Sequence, residues 1–110
     1  MKLPSKVRFT DEKTQEAFKE LLKSNSEKKI HDWITRAFED IEENAFCGIQ
    51  IPKRLIPTDY SQKYKINNLW KYNLPDAWRL LYSIENQEIL IVSIVLEWMD
   101  HKTYERTFRY

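Results

Sequence analysis

Seven apolar residues, Ile30, Trp33, Ile34, Ala37, Phe38, Ile41 and Ala45, recur at steps of 3, 1, 3, 1, 3 and 4. That spacing keeps them on one side of an α-helix for about four turns. The opposite side carries Lys28, Lys29, Asp32, Arg36, Glu39, Asp40 and Glu43. A helix with one apolar stripe and one charged face must lay the stripe on another element, so this segment predicts a layered fold. The preceding segment supplies a second helix. Thr10 or Asp11 can cap its start, and Phe18, Leu21 and Leu22 give it an apolar face. The pattern breaks at Lys23-Ser24-Asn25-Ser26, where Ser24 and Glu27 have capping-box spacing. The two helices therefore form an αα-hairpin.

What the hairpin lies on is expected from the flanks. Lys6-Val7-Arg8-Phe9-Thr10 alternates polar and apolar residues as a half-buried strand does. From Leu69 the chain reads as sheet: Leu69 to Tyr72, then Trp78 to Ile84, then Ile89 to Trp98, with Asn73–Asp76 and Glu85–Glu88 as turns. The last of these strands has almost no polar interruption, which predicts a central strand covered on both faces. Asp100 is placed to cap a short terminal helix bearing Tyr104 and Phe108 one turn apart. The expected fold is α+β and two-layered, an N-terminal strand and αα-hairpin packed on a mainly antiparallel sheet in the order β-α-α-β-β-β. No repeat or linker interrupts it, so residues 1–110 form one domain.

Gly48 is the only glycine and follows the long helix, where it reads as a C-terminal cap. With one glycine no nucleotide-binding glycine loop can be built. Cys47 is the single cysteine, which removes internal disulfides and thiolate zinc sites and suits a reducing, cytoplasmic location. It reads as a buried spectator. His31 and His101 lack metal-ligand spacing, and no Gly-flanked nucleophile turn is present, so no metal or other cofactor is expected. His31 reads as a surface residue. Apolar runs are too short to cross a membrane, and Met1 to Lys6 carries no secretory apolar segment.

Charge is unevenly spread. Residues 46–82 hold Lys53, Arg54, Lys63, Lys65, Lys71 and Arg79 against only Asp59 and Asp76. Lys53, Arg54, Lys63 and Lys65, interleaved with Tyr60 and Tyr64, have the composition of an RNA-contacting stripe with stacking partners, or of a solvated loop. Pro52, Pro57 and Asn67-Asn68 punctuate residues 49–68, a segment longer than an ordinary connection. Arg79 sits in a strand that otherwise reads as buried, and burial of an uncompensated guanidinium is unfavourable. Either it pairs with Asp76 or Glu97, or it is displayed to grip phosphate, which its fork of donors suits.

The run Leu69-Trp70-Lys71-Tyr72-Asn73-Leu74-Pro75-Asp76-Ala77-Trp78-Arg79-Leu80-Leu81-Tyr82 resembles the RelE/ParE superfamily of toxins from type II toxin–antitoxin systems. There, a strand bearing a basic residue leads through a turn into an aromatic-Arg-hydrophobic-hydrophobic-Tyr strand. The ending His101-Lys102-Thr103-Tyr104-Glu105-Arg106 is similar to the closing His-basic-x-x-Tyr signature of that superfamily. The resemblance implies a toxin neutralised by a cognate antitoxin protein. In the mRNA-cleaving branch it implies a metal-independent endoribonuclease acting on the ribosome by 2′-hydroxyl attack on the adjacent phosphate. Arg79 would then stabilise phosphate charge, Lys71 would steer the backbone, and His101 or Tyr104 would transfer the proton. His101 and Tyr104 stand closer together than the commoner spacing. The other branch inhibits DNA gyrase without this catalytic set, so a non-catalytic protein-binding role, a degenerate interaction module and a homodimer stay open as alternatives.

Overall fold

In the computed structural model, which describes residues 2–87 and 90–108, strand β1 (Lys6–Phe9) gives way at Asp11 to helix α1 (Glu12–Glu20). Asp11 is extended, and its carboxylate accepts a hydrogen bond from the Thr14 amide at 2.7 Å, satisfying one of the free donors of the first turn. A 3-10 turn, Leu21–Lys23, breaks the helix before α2 (Asn25–Glu43). Ser24 stands at the cap position of α2, but its hydroxyl meets Ser26 rather than a backbone amide, so the capping box is not formed.

The stripe on α2 is the floor of the larger core. Ile30, Ile34, Ala37 and Ile41 are buried, and Trp33 and Phe38 pack beside them. Leu21 of the connecting turn joins them, whereas Leu22 projects into solvent with 47% of its surface exposed. His31 is not a surface residue. Its ring stacks on Phe18 at 4.2 Å and holds the two helices together.

After α2 the chain makes a 3-10 turn at Ala45–Cys47 and enters a two-residue strand, β2 (Ile49–Gln50). Helix α2 closes at Asn44 instead of at Gly48, whose φ of −81° is open to any residue. The need for glycine is steric. A Cβ at this position would lie 2.6 Å from the Lys71 carbonyl oxygen and 2.6 Å from the Tyr82 hydroxyl. The Gly48 amide donates to that hydroxyl at 3.1 Å, and the hydroxyl donates to the Ala45 carbonyl at 2.7 Å. Cys47, expected inside, is exposed.

Residues 53–64 are not a loop. A 3-10 turn, Lys53–Leu55, and helix α3 (Thr58–Tyr64) start just after Pro52 and Pro57. Proline supplies the fixed φ that suits a helix entry. The chain then builds β3 (Trp70–Asn73), β4 (Arg79–Gln87), β5 (Leu90–Met99) and α4 (His101–Thr107). Strand β4 runs past the expected turn at 85–88, with Gln87 pairing Leu90; Glu88 and Ile89 lie outside the described residues.

The strands form one sheet in the order β1-β5-β4-β3-β2. Pairing is antiparallel except for β1 against β5, where Lys6–Phe9 run beside Val92–Val95. The fold is α+β with a mostly antiparallel five-stranded sheet, as the pattern of residues led one to expect. It has more than two layers, however. On one face α1 and α2 cover Leu80, Tyr82 and Val95. On the other face Tyr60 of α3 and Tyr104 and Phe108 of the terminal segment cover Leu69, Leu81, Leu96 and Met99. This second layer explains why β5 is apolar on both sides.

A β-bulge divides β5. Leu81 opposes Glu97 while Tyr82 opposes Val95, leaving Leu96 as the extra residue. Leu96 and Glu97 both face α3 as a result. Among the described residues no helix is long and apolar enough to cross a membrane.

Candidate functional site

Strands β3 and β4 are antiparallel, with Lys71 opposite Leu81 and Asn73 opposite Arg79. Because side chains alternate along a strand, Lys71, Arg79 and Leu81 share the face covered by α3 and α4. Helix α4 reaches that face because Asp100 caps it, its carboxylate accepting from the Thr103 amide at 2.8 Å. That bond holds the Asp100 carboxyl below the ordinary carboxylate range. One turn into the helix, Tyr104 is buried with 4% of its surface exposed and stacks on Phe108 at 4.7 Å.

Two cations flank the Tyr104 ring. The Lys71 ammonium lies 5.0 Å from its centre and the Arg79 guanidinium 5.4 Å. Both distances are within the range in which an aromatic face attracts a cation. The ring holds the two charges side by side without neutralising either. Among the described residues neither Lys71 nor Arg79 has a carboxylate partner, so the expected pairing of Arg79 with Asp76 or Glu97 is not made. Arg79 spends one Nη1 hydrogen on the Trp78 carbonyl at 3.2 Å, and its Nε is buried with no hydrogen-bond partner. Two adjacent positive groups with unspent donors favour an anion placed between them.

The turn that delivers Arg79 is strained. Asp76 and Ala77, between β3 and β4, have φ of 55° and 62°, a left-handed conformation that residues with a Cβ disfavour. It is closed by hydrogen bonds from the Leu74 amide to the Trp78 carbonyl at 2.9 Å and from the Trp78 amide to Pro75 at 3.3 Å. Strain of this kind clusters where surrounding structure fixes a functional side chain.

The remaining residues singled out in the sequence are distributed differently. His101 opens α4 and is exposed, with Nε2 2.9 Å from the Glu105 carboxylate. Lys53 is exposed on its 3-10 turn. Arg54, Lys63 and Lys65 line three separate hollows. They do not make one stripe. Lys63 lies over the ring of Tyr64 at 5.2 Å, and the Tyr64 hydroxyl donates to Glu97 at 3.0 Å. Burial, with the Glu97 charge behind it, pushes the Tyr64 phenol well above its ordinary range, and Tyr60 is raised for the same reasons. Lys65 ends α3 in the left-handed conformation.

Two polar contacts here escape a reading of sequence alone. Glu97 faces α3 only because of the bulge at Leu96. Asn68 acts as a substitute strand, its side-chain amide both donating to the Ile84 carbonyl and accepting from the Ile84 amide at 2.9 Å. No periodicity marks either one. Trp33, Trp70, Trp78 and Trp98 all pack against the core on the α1/α2 face. Among the described residues no group of three or more His, Cys, Asp and Glu side chains is arranged to hold a metal ion.

Comparison of the chain with models of protein families, with curated proteins and with solved structures finds no match in any of the three.

Proposed function

We propose that this chain is a RelE-like toxin, an endoribonuclease that cleaves mRNA on the ribosome and is held in check by a cognate antitoxin protein. The observation that carries the reading is the gathering of Lys71, Arg79 and Tyr104 from two strands and a helix, with neither cation paired to a carboxylate among the described residues. The element order and the mostly antiparallel sheet support the same reading.

The reaction proposed forms a bond from the ribose 2′-oxygen to the adjacent phosphorus and breaks the bond to the 5′-oxygen of the next nucleotide. It leaves a cyclic phosphate or its hydrolysis product. Negative charge grows on the non-bridging phosphate oxygens, where Arg79 and Lys71 are the stabilising donors. Preorganised donors of this kind supply a large share of such rates. A proton must leave the 2′-hydroxyl and one must reach the departing oxygen. Tyr104 sits beside both cations and His101, beside Glu105, lies one turn earlier on α4, and these two are the proton-handling candidates.

The test is induced expression of wild type and Arg79→Ala, with growth followed and mRNA 5′ ends mapped on ribosomes. Arrest accompanied by new in-frame ends, both lost in the variant, is the expected result. Arrest without cleavage would move the protein to the branch that inhibits a protein target. No arrest from folded wild type would remove the toxin reading.

A further inference from the structure

Strand β4 outruns one of its neighbours. Pairing with β3 stops at Trp70 opposite Tyr82, whereas β4 continues to Gln87 against β5. Beyond Tyr82 the outer edge of β4 therefore has no strand beside it among the described residues. The Asn68 side chain takes the first position along that edge. Its amide nitrogen donates to the Ile84 carbonyl and its oxygen accepts from the Ile84 amide, both at 2.9 Å. Those two bonds show that Ile84 turns its N–H and C=O to the outer edge. On an antiparallel strand that orientation recurs at every second residue, so Asn86 turns the same pair outward. Among the described residues no group meets that pair, and Glu85, Asn86 and Gln87 are all exposed. A hollow of about 400 Å³ adjoins the edge, formed by residues 65–68 and 83–86. Ser83 belongs to its lining and is fully buried, and its hydroxyl has no hydrogen-bond partner among the described residues. The β1 edge of the sheet is finished differently. There the Val7 amide donates to the Glu42 carboxylate at 3.1 Å and the Ser5 amide to the Glu42 carbonyl at 2.9 Å. The fold thus blunts one edge and leaves the other open to pairing.

We propose that the outer edge of β4 at Ile84–Asn86 is a docking site for an extended segment of a partner protein, added as one further strand with its main chain on Asn86. The inference is independent of the RNA-cleaving reading above. The occupant is read from the hydrogen bonds. An N–H and a C=O presented by one residue are met together by a group that both donates and accepts. The chain itself uses an amide for this at Ile84, and the main chain of an extended peptide repeats that amide at strand spacing. Lys65 and Glu85 give the lining one cation and one anion, so no charge there selects a polyanion. A second copy of this chain is a poor donor of the strand, because its β1 edge is already capped by Glu42 and its β2 has only two residues. Alternate side chains of the incoming strand fall on the side of the hollow, where Lys65, Asn67 and Ser83 favour polar groups over apolar ones. Main-chain bonds then supply affinity and these side chains supply specificity.

The probe is a displayed library of random heptapeptides selected on the immobilised full chain, the enriched peptides then being synthesised and titrated against the free chain. Amide hydrogen exchange followed by NMR locates them. Exchange of the Asn86 amide is expected to slow as peptide is added, and the enriched peptides should carry polar residues at every second position. A methyl group placed on successive peptide nitrogens should weaken binding at alternate positions only, by about fivefold for each hydrogen bond lost. On the protein, Asn86→Pro deletes the outward N–H at a position where an edge strand admits proline, and should weaken binding by a similar factor. Asn86→Ala keeps the amide and should bind as wild type does. Undiminished binding by Asn86→Pro overturns the proposal, as does an equal loss in Asn86→Ala, which would assign recognition to the side chain. The methyl scan and the exchange measurement use wild type, so they decide the matter even where the proline variant does not fold. Loss of the alternation, or enriched peptides that leave Asn86 exchange unchanged, overturns the proposal, and so does a selection that enriches nothing. Slower Asn86 exchange at higher protein concentration without peptide would assign the edge to a second copy and overturns it too.

Discussion

The two faces of the sheet are covered by different kinds of layer. Over one face, α1 and α2 lay an almost wholly apolar surface on Leu80, Tyr82 and Val95, with Phe9, Phe18 and Phe38 meeting at centroid distances of 5.4 to 5.6 Å. Over the other, beneath α3 and α4, strands β3, β4 and β5 themselves place charge beside the apolar core: Lys71, Arg79 and Glu97 all sit on that side, and among the described residues the Arg79 Nε has no hydrogen-bond partner. Burial of polar groups that lack compensation lowers stability. A face that retains them is therefore shaped by something other than stability, and a face without them is free to maximise packing.

Paired substitutions test that distinction most directly. Ile34 has no exposed surface, and Ile34→Ala is expected to lose about 2–5 kcal/mol in a denaturant titration, the range for cavities left by truncated aliphatic core residues. Arg79→Ala removes a half-buried cation whose partners are incomplete, so its stability should stay within about 1 kcal/mol of wild type. Equal losses for the two would erase the difference between the faces.

A second substitution probes the seam between the layers. Gly48→Ala forces a Cβ to within 2.6 Å of the Lys71 carbonyl, and backbone cannot swing aside as a side chain can. The expected loss is about 1–3 kcal/mol, as for overpacked sites. Since Lys71 belongs to the candidate centre, the proposed endoribonuclease reading expects cleavage to fall along with stability. A fully stable Gly48→Ala variant would show that β2 is able to move away from β3.

Much of this fold was legible because its strongest signals are local. The α2 stripe needs only a period of 3.6, and the parity of Leu80, Tyr82 and Ile84 against Arg79 and Leu81 needs only alternation. Lys71, Arg79 and Tyr104 are singled out by the resemblance, and the fold brings their side chains together. What stayed hidden depends on tertiary register. The bulge at Leu96 inverts the facing of Glu97, and no pattern of hydrophobicity announces an extra residue. Pro52 and Pro57 read as breaks, yet they start helical turns, and α3 has only seven residues in which to show a period. The basic residues 53–65 form no single stripe for the same reason: on two short helical turns, Arg54, Lys63 and Lys65 face different hollows. Gly48 was read as a cap because the approach of β3 and Tyr82 is a long-range fact.

Alkaline titration sharpens the comparison from the phenols. Burial first, and then the Asp40 carboxylate, pushes Tyr72 up to about 12. Tyr60, Tyr64 and Tyr82 are raised as well, with burial again the leading cause. A group whose folded value is raised contributes stability that is complete below the unfolded value near 10 and lost as pH climbs through the folded value. Ultraviolet difference spectra should therefore show these four phenols protonated past pH 10, then ionising together as the fold opens. The hydrogen bond from Tyr72 to Asp40 lies on the α1/α2 side, so Tyr72→Phe should narrow the alkaline loss without touching the Lys71–Arg79 pair. Independent titration of all four near pH 10 would show that the layers do not exclude water.

The smallest expected effect has the opposite sign. Ala77 holds φ at 62°, where a Cβ crowds the backbone, and the left-handed conformation disfavours such a residue by roughly 1–2 kcal/mol. Ala77→Gly relieves that crowding but adds freedom to the unfolded chain, an opposing term of about 0.5–1 kcal/mol. A net gain of about 0.5–1 kcal/mol in chemical denaturation follows. If the turn is strained because it aims Arg79 and the proposed endoribonuclease reading holds, the stabilised variant should cleave less well than wild type, since a looser turn lets the guanidinium leave the Tyr104 ring. A gain in stability with cleavage undiminished would mean that the strain is a local accident of the hairpin, and that the cation pair is positioned by β3, β4 and α4 alone.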